Sequence, residues 1–224
     1  MRCFQPSDLL RAARATDIPE GALGLWHIKK INLSRDIRAP KDGKLVTVPA
    51  GCYTQLWRWT RATIQNRLDG AQDEPGELVM TDSPDELNTH LEFMLRAHGR
   101  VLITGLGLGC VVRGCLANPA VRHVVCIERD PDVLRLVQRH MPSERLTILQ
   151  ADAVSWVRNN IQRQRFDCAW HDLWSDPDAG EPHLAVIHSD MFVKCHQSVG
   201  FQGAWAFPRH QKRLWKRSVG GIIA

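Results

Sequence analysis

The stretch "VLITGLGLGC", Val101 to Cys110, sets three glycines at alternate positions directly behind an apolar run. The run reads as a buried strand, and Gly105, Gly107 and Gly109 as a tight turn that opens onto a helix. Glycine tolerates positive φ and, lacking a Cβ, lets another molecule approach the main chain closely. A strand, a glycine turn and a helix N-terminus together make a site for a nucleotide-like ligand. The turn is weak evidence by itself, so the residues around it carry the weight.

Working outward, strands and helices alternate. "SPDELNTHLEFMLRAHG" reads as a helix with Ser83 as cap, Pro84 at the first position, Glu86 completing a capping box and Gly99 as the stop. After the turn come helix "CVVRGCLA", strand "VRHVVCIE", a helix from Pro131, strand "RLTILQ", helix "AVSWVRNNI" and strand "FDCAWHD". "FQGAWAF" supplies a candidate fifth strand. This order predicts an α/β fold with a parallel sheet and right-handed crossovers. Upstream the texture differs. "SDLLRAARAT" (residues 7–16) reads as a short helix, and "LGLWHIKKI", "GKLVTVPAG" and "TQLWRWT" as strands. The polar "LDGAQDEPGE" marks a boundary, dividing the chain into a β-rich region (1–76), the α/β domain (77–207) and a basic tail or helix (208–224).

In a parallel sheet the ligand lies beyond the carboxyl ends of the strands. The first such end carries the three glycines. Glu128 closes the second, about twenty residues on, where a carboxylate can accept two hydrogen bonds from a ribose diol. Asp152 follows the third, and His171 and Asp172 end the fourth with Trp174 beside them. Each has a structural alternative: Glu128 as a surface cap, Asp152 as a helix N-cap, His171 as a strand-end histidine held by Asp172 or the backbone. Acids at three successive strand tips, in register with the glycine turn, point to a nucleoside. The dinucleotide fingerprint Gly-x-Gly-x-x-Gly has Cys110 at its third glycine position here, and an acid after the third strand suits an adenine amino group.

Across residues 77–207 the sequence resembles class I S-adenosyl-L-methionine-dependent methyltransferases. Within them "VLITGLGLG…IERD…ADA…FDCAWHD" looks most like the polyamine (spermidine) synthase branch, and in particular its compact methyltransferase-like proteins of phages and actinobacteria. The resemblance implies a Rossmann-like sheet lacking its last strands, with S-adenosyl-L-methionine as cosubstrate. Gly105, Gly107 and Gly109 would face its methionine part, Glu128 the ribose and Asp152 the adenine. Asp172 would meet the second substrate, with Trp174 and with Asp176, which stands one residue beyond the family's second acid. Two departures stand out: Leu108 replaces the turn acid of polyamine synthases, and Ile103 the acid that methyltransferases carry before the first glycine.

The leading expectation is methyl transfer from a small-molecule cosubstrate to a nitrogen or oxygen of an undefined acceptor, with Asp172 or His171 taking or holding the proton. Aminopropyl transfer to a polyamine is the alternative, and an inactive nucleoside- or nucleic-acid-binding module a third. "HDLW" in place of Asp/Asn-Pro-Pro-aromatic argues against DNA base methylation. Beyond Asp190 there is no acidic residue, while Lys194, Arg209, Lys212, Arg213, Lys216 and Arg217 follow, interleaved with Trp205 and Trp215. That tail reads either as a nucleic-acid contact or as the solvated face of a docked helix. Seven scattered cysteines without a Cys-x-x-Cys pair read as reduced structural thiols, and His183, His188, Cys195 and His196 fit no zinc spacing. No apolar run reaches the ~18 residues of a membrane span, and no secretory signal opens the chain, so a cytoplasmic location is expected.

Overall fold

The computed structural model describes residues 5–41, 44–69, 76–173 and 200–204. Two sheets organise them. A four-stranded antiparallel sheet combines β1 (Gly21–Leu23), β2 (Trp26–Leu33), β5 (Gly51–Arg58) and β6 (Glu77–Thr81) in that spatial order. Between β2 and β5 the hairpin of β3 (Ile37–Lys41) and β4 (Lys44–Val48) projects as a two-stranded ribbon. The second sheet holds β7 (Gly99–Thr104), β8 (Val121–Glu128), β9 (Leu146–Gln150), β10 (Cys168–His171) and β11 (Phe201–Ala204). All are parallel, in the order β11-β10-β7-β8-β9, so the expected α/β fold with a β-rich N-terminal region is what forms.

The helices are α1 (Pro6–Ala12), α2 (Arg61–Leu68), α3 (Pro84–Arg96), α4 (Cys110–Ala117), α5 (Pro131–Val137) and α6 (Ala153–Asn160). Alternation along the strands decides what each face buries. Val101, Ile103, Val124, Cys126, Cys168 and Trp170 pack with residues of α1, α3, α4 and α5, including Leu9, Phe93, Val112 and Val137. Leu102, Val125, Ile127 and Ala169 pack on the other side against Ala153, Val157, Ile161 and Phe166. The chain changes sheet face after β9, so the strand order reverses between β7 and β10. A crevice opens at such a point.

Several local expectations are revised. α1 begins at Pro6 rather than Ser7, because proline has no N–H to lose at the first helical position and its φ is preset. It ends at Ala12 instead of residue 16, with Ala13 as its C-cap. Ser83 does cap α3, but its hydroxyl donates to Asp85 Oδ1 at 2.6 Å, so no capping box with Glu86 is built. α2 was not legible because it has no apolar stripe. A reciprocal hydroxyl cap starts it, with Thr63 N–H on Thr60 Oγ1 at 3.2 Å and Thr60 N–H on Thr63 Oγ1 at 2.7 Å. β6, the first element after the boundary at residue 76, pairs back onto β5.

A buried carboxylate ties the segment after α1 to β5 and to the turn between β6 and α3. Asp82, between β6 and α3, is fully buried; its Oδ1 accepts from Thr54 N–H at 2.7 Å, and its Oδ2 from Ala15 N–H at 3.0 Å and Arg14 Nε at 3.1 Å. Cys110, Cys115, Cys126 and Cys168 are buried free thiols, and burial raises the pKa of each. No helix among the described residues is long and apolar enough to cross a membrane.

Candidate functional site

β7 ends at Thr104, and the chain turns at once into the glycine loop. Gly105 N–H donates to Ile127 O at 2.8 Å, and Gly109 N–H to Leu106 O at 2.8 Å. Gly105 has φ 92°, and a Cβ there would overlap the carbonyl oxygen of Asp172. Gly107 has φ 52°, and its Cβ would come within 2.6 Å of Met80 Sδ. Gly109 is the N-cap of α4. Part of the glycine signature is therefore demanded by the protein's own packing: Gly105 lets the ends of β7 and β10 close on one another.

The loop N–H groups are partly engaged. Leu106 N–H donates to Glu128 Oε2 at 2.9 Å, and Leu108 N–H to Met80 Sδ at 3.2 Å. Glu128 also accepts from Asp130 N–H through Oε1 at 2.8 Å. Half-buried at the tip of β8, it pins the glycine loop from one side. A carboxylate has about four lone-pair positions, so two remain for a diol. Glu128→Ala is accordingly expected to weaken nucleoside binding roughly ten- to a hundredfold, an effect of about 1.5–3 kcal/mol. Because it holds the loop as well, thermal stability should fall by about 1–2 kcal/mol. Calorimetric titration with an S-adenosyl nucleoside, beside thermal melting, checks both, and unchanged values in both would remove Glu128 from the site.

Asp152 is exposed and acts as the N-cap of α6, accepting from Ser155 N–H at 2.8 Å. That backbone hydrogen bond holds its carboxyl below the ordinary carboxylate range. The capping alternative is thus realised.

His171 is the last residue of β10, and Asp172 is the first residue beyond it. His171 is fully buried, with Nδ1 and Thr104 Oγ1 sharing a hydrogen bond at 3.0 Å. Burial lowers its pKa to about 4, against a smaller upward pull from Gln202, so the imidazole is neutral at neutral pH. Its side-chain partners include Thr104 and Gln202, and its burial is that of a core residue. Asp172 has the same parity as Trp170, on the face covered by α3 and α4. Its N–H donates to Thr104 O at 2.8 Å, and its side chain is half-buried beside the glycine loop. Burial first, then the charges of Glu86 and Glu128, push its carboxyl up to about 8. Such a group can hold or give up a proton near neutrality.

Gly105, Gly107, Glu128 and Asp172 thus meet at the carboxyl ends of β7, β8 and β10. Sequence reading missed Met80, whose thioether takes a loop N–H, because β6 itself went unrecognised. It also assigned Glu86 to a cap instead of to the surroundings of Asp172. Trp174, Asp176, the tail beyond Pro208, His183, His188, Cys195 and His196 lie outside the described residues.

No protein-family model matches the chain. Among curated proteins it is similar to polyamine aminopropyltransferase 1 of Streptomyces coelicolor, with 34% identity over 105 residues, covering 42% of this chain and 19% of the relative. It is also similar to polyamine aminopropyltransferase 2 of Caldanaerobacter subterraneus, 29% identical over 151 residues, covering 60% of this chain and 50% of the relative. The matches therefore span half or less of these relatives' lengths. Among solved structures, spermidine synthase from Thermotoga maritima is 19% identical with a TM-score of 0.42, covering 82% of this chain and 63% of that one. The resemblance to the spermidine-synthase-like branch read from the motifs agrees with the names of the curated relatives.

Proposed function

We propose that the crevice between β7 and β10 binds an S-adenosyl-L-methionine-type nucleoside and transfers its methyl group to the nitrogen of a small amine. The observation that carries this reading is the half-buried Asp172, held beside the glycine loop on the same sheet face as Glu128. The donor set fits the nucleoside: Glu128 retains lone pairs for ribose hydroxyls, Asp152 keeps a second carboxylate oxygen for an adenine amino group, and the acids favour a positive sulfonium.

When bound, the sulfonium supplies an electrophilic carbon. The chain's own contribution is alignment and proton handling. Asp172 accepts the proton that the acceptor's ammonium must lose before its lone pair can form the new carbon–nitrogen bond as the carbon–sulfur bond breaks. With a pKa of about 8, its carboxylate fraction grows as pH rises, so turnover should increase through pH 8.

Aminopropyl transfer is the second reading, favoured by the names of the curated relatives. Against it, Leu108 is fully buried where that branch has an acid, so the turn offers no carboxylate to an amine-bearing cosubstrate. The test is incubation with S-adenosyl-L-methionine or its decarboxylated form, plus putrescine, spermidine and simple primary amines, with products read by mass spectrometry. A methylated amine supports the proposal, and an aminopropylated one replaces it with the second reading. Nucleoside binding without product would leave a binding module, and no nucleoside binding would overturn the assignment.

A further inference from the structure

We propose that Glu86, on the first turn of α3, is a recognition residue whose carboxylate meets the cationic nitrogen of the acceptor beside Asp172. The inference rests on the transferase reading above and deepens it by naming a specificity-determining group on a separate element.

The geometry comes from how α3 lies across the sheet. His90 meets Trp170 edge-on with centroids 5.4 Å apart, and Phe93 lies 5.0 Å from the same ring. Phe93 also stacks on Phe201 at 5.8 Å, and Arg96 covers Phe201 with its guanidinium 3.9 Å from the centroid. Phe201 is level with Cys168 in the strand register. Moving along α3 from His90 to Arg96 therefore means moving backwards along β10, from Trp170 towards Cys168. The helix and the strand run in opposite directions.

Extending the same line the other way fixes Glu86. It stands four residues before His90, on the same helical face and about 6 Å along the axis. Asp172 stands two residues after Trp170, on the same strand face and roughly 6.6 Å along it. The two steps match, so the helix carries Glu86 to the level of Asp172. Electrostatics agrees: Glu86 is the larger of the two charges that raise Asp172, and it also raises Cys110 at the start of α4. The charge of Glu86 is thus felt both at Asp172 and at the start of α4. A carboxylate there attracts an ammonium and gives a neutral acceptor nothing.

The test compares Glu86→Gln with Asp85→Asn, which removes a neighbouring first-turn acid of α3. Calorimetry of each variant would use S-adenosylhomocysteine alone, and then spermidine in its presence. Glu86→Gln should weaken spermidine binding about tenfold or more while leaving S-adenosylhomocysteine within about threefold. Asp85→Asn should change neither by more than about threefold, and Glu86→Asp should recover part of the loss. Carboxyl NMR of Asp172 gives an independent reading: its titration midpoint should fall in Glu86→Gln, because a neighbouring negative charge has gone. An unchanged midpoint, or equal spermidine affinity in Glu86→Gln and the unmodified protein, would overturn the proposal. So would nucleoside binding without any spermidine binding. If the unmodified protein binds no S-adenosylhomocysteine, the transferase reading itself fails and takes this one with it.

Discussion

Asp172→Asn is expected to reduce turnover on the order of a hundred- to ten-thousandfold, the usual contribution of a positioned acid–base group. Nucleoside affinity should stay within about threefold, because Glu128 and the loop remain. The substitution preserves shape, and the Asp172 N–H bond to Thr104 O belongs to the backbone. Stability should move the opposite way. Asp172 has a pKa of about 8 in the folded protein against an ordinary 3.8. Below about pH 4 both states keep the proton, and no penalty arises. Between about 4 and 8 the folded state holds a proton that the unfolded state has lost, so stability declines as pH rises. Asn carries no such titration. At pH 9 the variant should melt roughly 2–8 °C above the unmodified protein, the shift produced by about 1–2 kcal/mol in a domain of this size. At pH 5 the two should nearly coincide. Equal turnover on a verified substrate would remove the mechanism, and parallel melting curves across this range would show that Asp172 ionises as an ordinary carboxylate. His171→Gln belongs to a different class. Its effect should come through packing against Thr104, with the pH dependence of turnover unchanged.

The largest loss of stability is expected from Asp82→Ala. One fully buried carboxylate satisfies the backbone N–H groups of Thr54 and Ala15 and the Arg14 guanidinium. Deleting it leaves two main-chain donors without their acceptor and takes from the Arg14 guanidinium its ion-pair partner, leaving it the Cys52 carbonyl, at a cost of about 3–5 kcal/mol. Urea unfolding should show a matching drop in midpoint with little change in slope. Asp82→Asn keeps one acceptor oxygen but turns an NH2 group towards another donor, so it should fall between the two. A loss below about 1 kcal/mol in Asp82→Ala would show that the segment after α1 is held to β5 and the β6–α3 turn by other contacts. The effect on the crevice would be indirect, since α3 starts immediately after Asp82 and carries Glu86.

Local patterns decided much of this protein without help. α4 over Cys110–Ala117 and β8 over Val121–Glu128 form where their apolar periodicity and flanking residues place them. The parallel sheet follows from the alternation of such segments, because each crossover must bury an apolar face. Alternation also required that only one of His171 and Asp172 could face a pocket. Which one does is a tertiary fact, decided by Trp170 packing under His90 and Phe93 on α3. β6 was equally hidden, since a five-residue strand is specified by the partner it finds, and β5 lies across a long stretch of chain. The glycines announced a close approach, but only the closed fold shows that Gly105 makes room for the Asp172 carbonyl. The placement of Glu86 depends on the direction in which α3 crosses β10. Periodicity encodes which side of an element is buried; what lies against that side is set by long-range packing, which no local pattern contains.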